Sequence, residues 1–198
     1  MYPQSILNFI KIFSRLPGIG PKSSERIAFF ILSQPDEFAV KLSESIRNIR
    51  KETKKCSLCG NIDVKDPCSI CSDSSRDQSK ICIVESAVDI YFIEETNIYK
   101  GLYHCLEGLI SPLHGITPDK LTINQLLTKI KEKEIKEIIF ALSATPEGDT
   151  TILYIKDLLK NKSIKMTTLA RGIPVGTGLQ YAGKSSLSEA FKGREEVK

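Results

Sequence analysis

Four cysteines are concentrated in the stretch KKCSLCGNIDVKDPCSICSD, residues 54–73, as two Cys-x-x-Cys pairs, Cys56 with Cys59 and Cys68 with Cys71. Disulfides, thiol redox centres and metal sites all use such pairs. A redox pair needs one Cys-x-x-Cys at a helix start beside a βαβ pattern, and two pairs with eight residues between them do not fit that. Cytosolic thiols are kept reduced, which argues against disulfides in a protein of that compartment. Zinc takes four tetrahedral ligands, and two knuckles brought together supply four thiolates. Gly60 follows the first pair, where the chain has to turn sharply and a positive φ is cheap only for glycine. The intervening GNIDVKDP is too poor in apolar residues to fold unaided, so metal binding would supply its folding energy. Four cysteines leave the ion no open position, so the expected zinc is structural. Cys82 and Cys105, in the apolar stretches ICIV and LYHCL, read as small buried hydrophobes, and His104 and His114 read as structural.

A second candidate is LPGIGPKSSER, residues 16–26. Gly18 and Gly20 would let backbone N–H groups approach a phosphate without Cβ interference, and the start of the following helix adds its positive dipole end. Lys22 and Arg26 are four residues apart and project from one side of that helix. Such a device addresses the DNA backbone, so binding would be largely independent of base sequence. A tight helix–helix turn used only for packing explains the same glycines. The third candidate is acidic. Glu85, Glu147 and Asp149 each follow the end of an expected strand, where ligand sites of α/β sheets lie. Gathered together they would offer carboxylate oxygens to Mg²⁺, whereas as helix-start acids they would only complement the dipole.

These residues need elements to hold them. Apolar spacing predicts a helix over 4–16, a glycine-containing hairpin, a helix from Pro21, and a third helix from about Asp36 with a basic end. The texture changes after residue 80. Strands in KICIVES, YKGLYHCLEG, Glu137–Leu142 and SIKMTTLA alternate with helices in SAVDIYFIEET, TINQLLTKIKEKE and GDTTILYIKDLLKN. That alternation implies βαβ units around a mostly parallel sheet. The tail is glycine-rich and then helical. The expected class is α+β multidomain.

Charge supports a polyanionic partner. Residues 1–55 carry ten Lys/Arg against five Asp/Glu, while the remainder is nearly balanced, within a net charge of +4. A solvated basic face is the plainer explanation of the same count. No apolar run approaches the roughly 20 residues needed to span a bilayer. The N-terminal stretch lacks the basic region and cleavage site of a signal peptide, so the expected location is cytoplasmic and associated with the nucleoid.

The order LPGIGPKS, CSLC…CSIC, ICIVES, PEGDTT and LARGIPVG resembles the RecR family of bacterial recombination mediators over nearly the whole chain. The resemblance implies a helix-hairpin-helix DNA-binding region over 1–55, a four-cysteine zinc finger over 56–71, a Toprim domain over 80–174 and an assembly segment over 175–198. It further implies recombinational repair with RecO and RecF, loading of recombinase on single-stranded DNA, and dimers or tetrameric rings. Enzymatic Toprim domains carry an Asp-x-Asp where this chain has Ser143-Ala144-Thr145, so a Toprim nuclease or topoisomerase is the disfavoured alternative and Mg²⁺ is doubtful. Gln180 stands where the family often has an acid.

Overall fold

The computed structural model describes residues 2–196. They fall into two compact units, Met1–Thr53 and Lys54–Lys198.

The first unit consists of α1 (Gln4–Phe13), α2 (Pro21–Leu32) and α3 (Asp36–Glu52). The helix expected over 4–16 stops at Phe13. Arg15 and Leu16 N–H instead close tight turns onto Ile12 and Phe13 carbonyls at 3.1 and 3.0 Å, which swings the chain into Pro17 and Gly18. Helices α1 and α2 approach through small groups: Ser14 and Ser24 hydroxyls lie 3.0 Å apart, and Ala28 is buried. Asp36 and Glu37 occupy the first turn of α3 and Arg50 and Lys51 its last, so both ends complement the helix dipole.

The second unit opens with a two-stranded antiparallel ribbon, β1 (Lys54–Lys55) and β2 (Ile62–Asp63), and a one-turn helix α4 (Ser69–Ser72). A four-stranded sheet follows, built from β3 (Asp77–Val84), β4 (Gly101–Cys105), β5 (Glu137–Ala141) and β6 (Lys165–Thr168). Its order is β4-β3-β5-β6 and every neighbouring pair is parallel. The crossovers carry α5 (Ala87–Glu95), α6 (Ile123–Glu132) and α7 (Pro146–Leu158), and α8 (Lys184–Lys192) lies in the tail. The expected α/β alternation is therefore present. Strand β3 starts three residues before the expected stretch, at Asp77, because it has a partner on that side in Gly101. Helix α7 starts at Pro146, not at Gly148, because Thr145 caps it.

Alternation along the strands divides the core. Ile81 and Ile83 of β3, with Ile138 and Phe140 of β5, pack on Leu126 and Ile130 of α6 and Ile155 of α7. Cys82 and Val84 of β3, with Tyr103 and Cys105 of β4, pack on Ile90 of α5 and on the cysteines of the 56–71 segment. The zinc-type segment is thus part of the sheet's second core, and Cys82 and Cys105 are buried within it.

Candidate functional site

The first knuckle lies between β1 and β2. Gly60 N–H donates to Cys56 O at 2.9 Å and Cys56 N–H to Asn61 O at 2.7 Å, with Gly60 at φ +80°. The second knuckle is α4, whose cap is Cys68 itself: its Sγ accepts from Cys71 N–H at 3.5 Å. Together the Sγ atoms of Cys56, Cys59, Cys68 and Cys71 lie within 4.8 Å of one another. Cys59 and Cys68 Sγ are 3.6 Å apart. A tetrahedron with Zn–S of ~2.3 Å has edges of about 3.8 Å, so the donor set fits zinc. Backbone N–H groups already point at the sulfurs, Cys68 N–H at Cys56 Sγ and Asn61 N–H at Cys59 Sγ, both at 3.4 Å.

The electrostatics suit a cation. Burial raises the Cys56 thiol, yet the N–H groups of Cys68, Cys59 and Leu58 outweigh it and bring the pKa down to about 7. The Cys71 side chain and burial push Cys59 well above the ordinary thiol value, and burial pushes Cys68 up to about 11. The four thiols cannot ionise together unaided; a bound Zn²⁺ supplies the charge that lets them. Two aspartates brace the loop. Asp66 accepts from Ser57 N–H and Oγ at 2.8 and 2.9 Å, and Asp63 accepts from Ser69 N–H and Oγ at 2.7 and 2.8 Å. Each ties one knuckle to the strand or loop opposite. The sequence reading passed over both, although Asp-x-x-Asp between paired cysteines beside serines was visible.

The acidic residues have protein partners. Glu85, at the end of β3, accepts from Ser143 Oγ at 2.7 Å. Asp149 is paired in two-pronged fashion with Arg171, whose hydrogen bonds hold its carboxyl below the ordinary aspartate value. Thr145 caps α7 by accepting from Gly148 N–H at 3.2 Å. Gly148 is required there, since a Cβ would lie 2.0 Å from Ser143 O. Among the described residues, the four cysteines are the one group of three or more His, Cys, Asp or Glu with ligand atoms close enough to share an ion. Glu85, Glu147 and Asp149 do not form such a group among the described residues, and the positions that would carry the missing aspartates, Ser143 and Thr145, serve as a bridge to Glu85 and a helix cap.

In the first unit, Gly18 adopts φ +76° and Gly20 is the N-cap residue of α2 in extended conformation. Helix α2 begins without a side-chain cap, Pro21 has no N–H to offer, and Ser24 N–H is the one that reaches back to Gly20 O, at 2.9 Å. The amides of Lys22 and Ser23, in the first turn, have no acceptor within the helix. Gly18, Gly20, Lys22 and Arg26 are all exposed.

His104 is buried and its Nε2 lies 3.0 Å from both Thr122 O and Thr122 Oγ1, a structural placement.

Sequence comparison completes the site. Residues 6–50 match the model of the RecR helix-hairpin-helix, residues 53–73 that of the RecR four-cysteine zinc finger domain, and residues 79–170 that of the Toprim domain. The chain is 46% identical over 196 residues to Recombination protein RecR of Moorella thermoacetica, covering 99% of this chain and 98% of that one. It is 39% identical over 196 residues to Recombination protein RecR of Lactococcus lactis subsp. cremoris, covering 99% of each. With four thiols in zinc geometry inside a matched four-cysteine finger, the metal is a structural zinc. Likeness at this level, unbroken from hairpin through zinc finger to parallel sheet, means that the chain belongs to the RecR family.

Proposed function

We propose that this chain is a non-enzymatic, DNA-binding mediator of recombinational repair, working in the cytoplasm on the nucleoid. The observation that carries the reading is the exposed Gly18–Gly20 hairpin ahead of an uncapped α2, flanked by exposed Lys22 and Arg26, in a chain alike end to end with proteins named for recombination. Free amides at a helix start and two cations match phosphate, whatever the bases. One hairpin makes few phosphate contacts, so a dimer or tetrameric ring would gain affinity by linking several. Region by region, 1–55 holds DNA, 56–71 is the zinc finger, 80–174 the Toprim domain and 175–198 the assembly segment. Glu85, Glu147 and Asp149 serve contact with a partner protein, RecO or RecF, in loading recombinase on single-stranded DNA. Two-metal phosphoryl transfer needs carboxylates enough to neutralise both ions, and Ser143 and Thr145 do not supply them.

The test is DNA affinity at several salt concentrations for Lys22→Glu with Arg26→Glu, with circular dichroism as the folding control. Binding should weaken alike for all sequences, and neutral replacements should flatten the salt slope by about one unit per lost phosphate contact. A folded double variant that binds like wild type would make the hairpin a packing turn. Separately, purified protein with Mg²⁺ should show no nuclease, topoisomerase or primase activity; reproducible activity lost in Glu85→Ala would overturn the non-enzymatic reading.

A further inference from the structure

Lys129 is a lysine of α6 that neither the zinc finger nor the acidic end of the sheet accounts for. Its position is unusual for a lysine. It is only partly exposed, on a helix whose neighbouring residues Leu126 and Ile130 are buried core. Its Nζ donates to Tyr103 O on β4 at 3.2 Å. It lines a cavity of about 240 Å³ together with Ser57, Leu58, Leu102 and Cys71, the one zinc ligand that is not fully buried. Two residues beyond Tyr103, Cys105 N–H donates to Cys59 O at 2.8 Å, so the knuckle sits on the same stretch of strand that Lys129 reaches.

Charge gives this placement a purpose. Zinc with four thiolates carries a net charge of −2. Asp63 and Asp66 add negative charge, and Lys55 is occupied by an ion pair with Glu107. Lys129 shares its cavity with Cys71, and its bond to Tyr103 O holds the ammonium on the strand against which the cysteines pack. Lys133, one turn on, is the contrasting case: it lines the same cavity but is exposed and donates to Gln78 Oε1 at 2.9 Å.

We propose that Lys129 is a positioning residue of the zinc site: its ammonium, reaching from the helix of the parallel sheet, balances the tetrathiolate charge and so raises zinc affinity and fastens the finger to the sheet. The proposal rests on zinc occupying the four thiols, which metal content of the wild type reads independently of affinity. A hydrogen bond to Tyr103 O alone would explain the side chain without any charge role, and the variants must separate the two. Lys129→Gln keeps a donor for Tyr103 O and removes the charge. Lys129→Arg keeps the charge. Lys133→Met removes an equal charge from the exposed neighbour.

The experiment is zinc affinity of the full chain by competition with a chromophoric chelator, with the thiolate-to-metal charge-transfer band of the cobalt-substituted protein as a second readout. Partners beyond the direct ligands are typically worth 10–100-fold in metal affinity. Lys129→Gln should weaken zinc by about that factor and shift the cobalt band, Lys129→Arg should restore both, and Lys133→Met should change neither. Wild-type affinity in Lys129→Gln would reduce Lys129 to a hydrogen-bond donor for the strand. An equal loss in Lys133→Met would make the effect a diffuse one of helix charge; either result overturns the proposal. Wild-type protein without zinc would instead overturn the zinc reading itself.

Discussion

Replacing Arg76 by Met removes the charged group that ties the end of the zinc segment to the sheet. The Arg76 side chain is 8% exposed and pairs with Glu94, 26% exposed, on α5. It also donates to Gly101 O at 3.0 Å and stands 3.8 Å from Asp73. In the variant, Glu94 keeps only the Tyr103 hydroxyl, at 2.7 Å, and a largely desolvated carboxylate is left without its cation. Removing one partner of a buried pair costs about 3–5 kcal/mol. At ~2–4 °C per kcal/mol for a unit of this size, the melting temperature of the second unit should fall by about 6–20 °C. Differential scanning calorimetry at saturating zinc measures it. A pH series adds a second check. Burial raises the Glu94 pKa, but Arg76 and Tyr103 outweigh it and hold it below the ordinary 4.5. The pair's contribution is therefore complete above that value and is lost as pH falls through the folded pKa. In the variant, burial acts unopposed by Arg76, so the gap to wild type should narrow as the buffer is made more acid than the ordinary value. A loss under ~1 kcal/mol, or a gap that is constant from neutral pH to pH ~4, would refute the account of a buried, charge-dependent pair.

Cys56→Ser or Cys68→Ser should abolish bound zinc and lower folding yield, as read by metal analysis and soluble expression; well-folded wild type without zinc would contradict the structural role. Burial and then the Lys129 charge lower His104 to about 4, so the unfolded chain takes up a proton below ~6.5 that the folded one refuses. Stability should fall by up to about 1.4 kcal/mol per pH unit between ~6.5 and 4, with His104→Gln showing a shallower slope in urea titrations; equal slopes would remove His104 as the source.

Much of this was legible in the sequence for identifiable reasons. The two knuckles follow from ligand spacing, and the parallel sheet from strand–helix alternation, because both are local patterns. The zinc ligand set needed no tertiary information at all. Errors began where partners are distant. Helix α1 stops three residues early because turn hydrogen bonds compete with apolar spacing that continued to Leu16. Glu85, Glu147 and Asp149 read equally as Mg²⁺ donors or as helix-start acids because only their strand-end position is local, whereas the Arg171 that engages Asp149 lies 22 residues on. Arg76, Glu94 and Lys129 gave no signal, since a charged residue on an amphipathic helix or before a strand usually faces water. Only the placement of β4 at the sheet edge gives them their partners, Gly101 O for Arg76, the Tyr103 hydroxyl for Glu94 and Tyr103 O for Lys129.

That edge explains why a zinc segment adjoins the sheet. Parallel sheets are normally covered on both faces, yet β4 ends the strand order and its outer backbone groups would be open to water or to another strand. Here all five residues of β4 are buried. Arg76 donates to Gly101 O, Lys129 to Tyr103 O, and Thr122 Oγ1 to Cys105 O at 2.6 Å, while Cys105 N–H finds Cys59 O. Alternate residues 101, 103 and 105 thus have their carbonyls capped by side chains, two of them cations, and the last amide by the finger. Side-chain caps satisfy these groups without presenting a new strand for pairing, and the finger adds apolar cover over Tyr103 and Cys105. A segment of such short strands has too little core to hold that position by itself. Zinc supplies the rigidity, the edge supplies the surface, and loss of either should loosen the other.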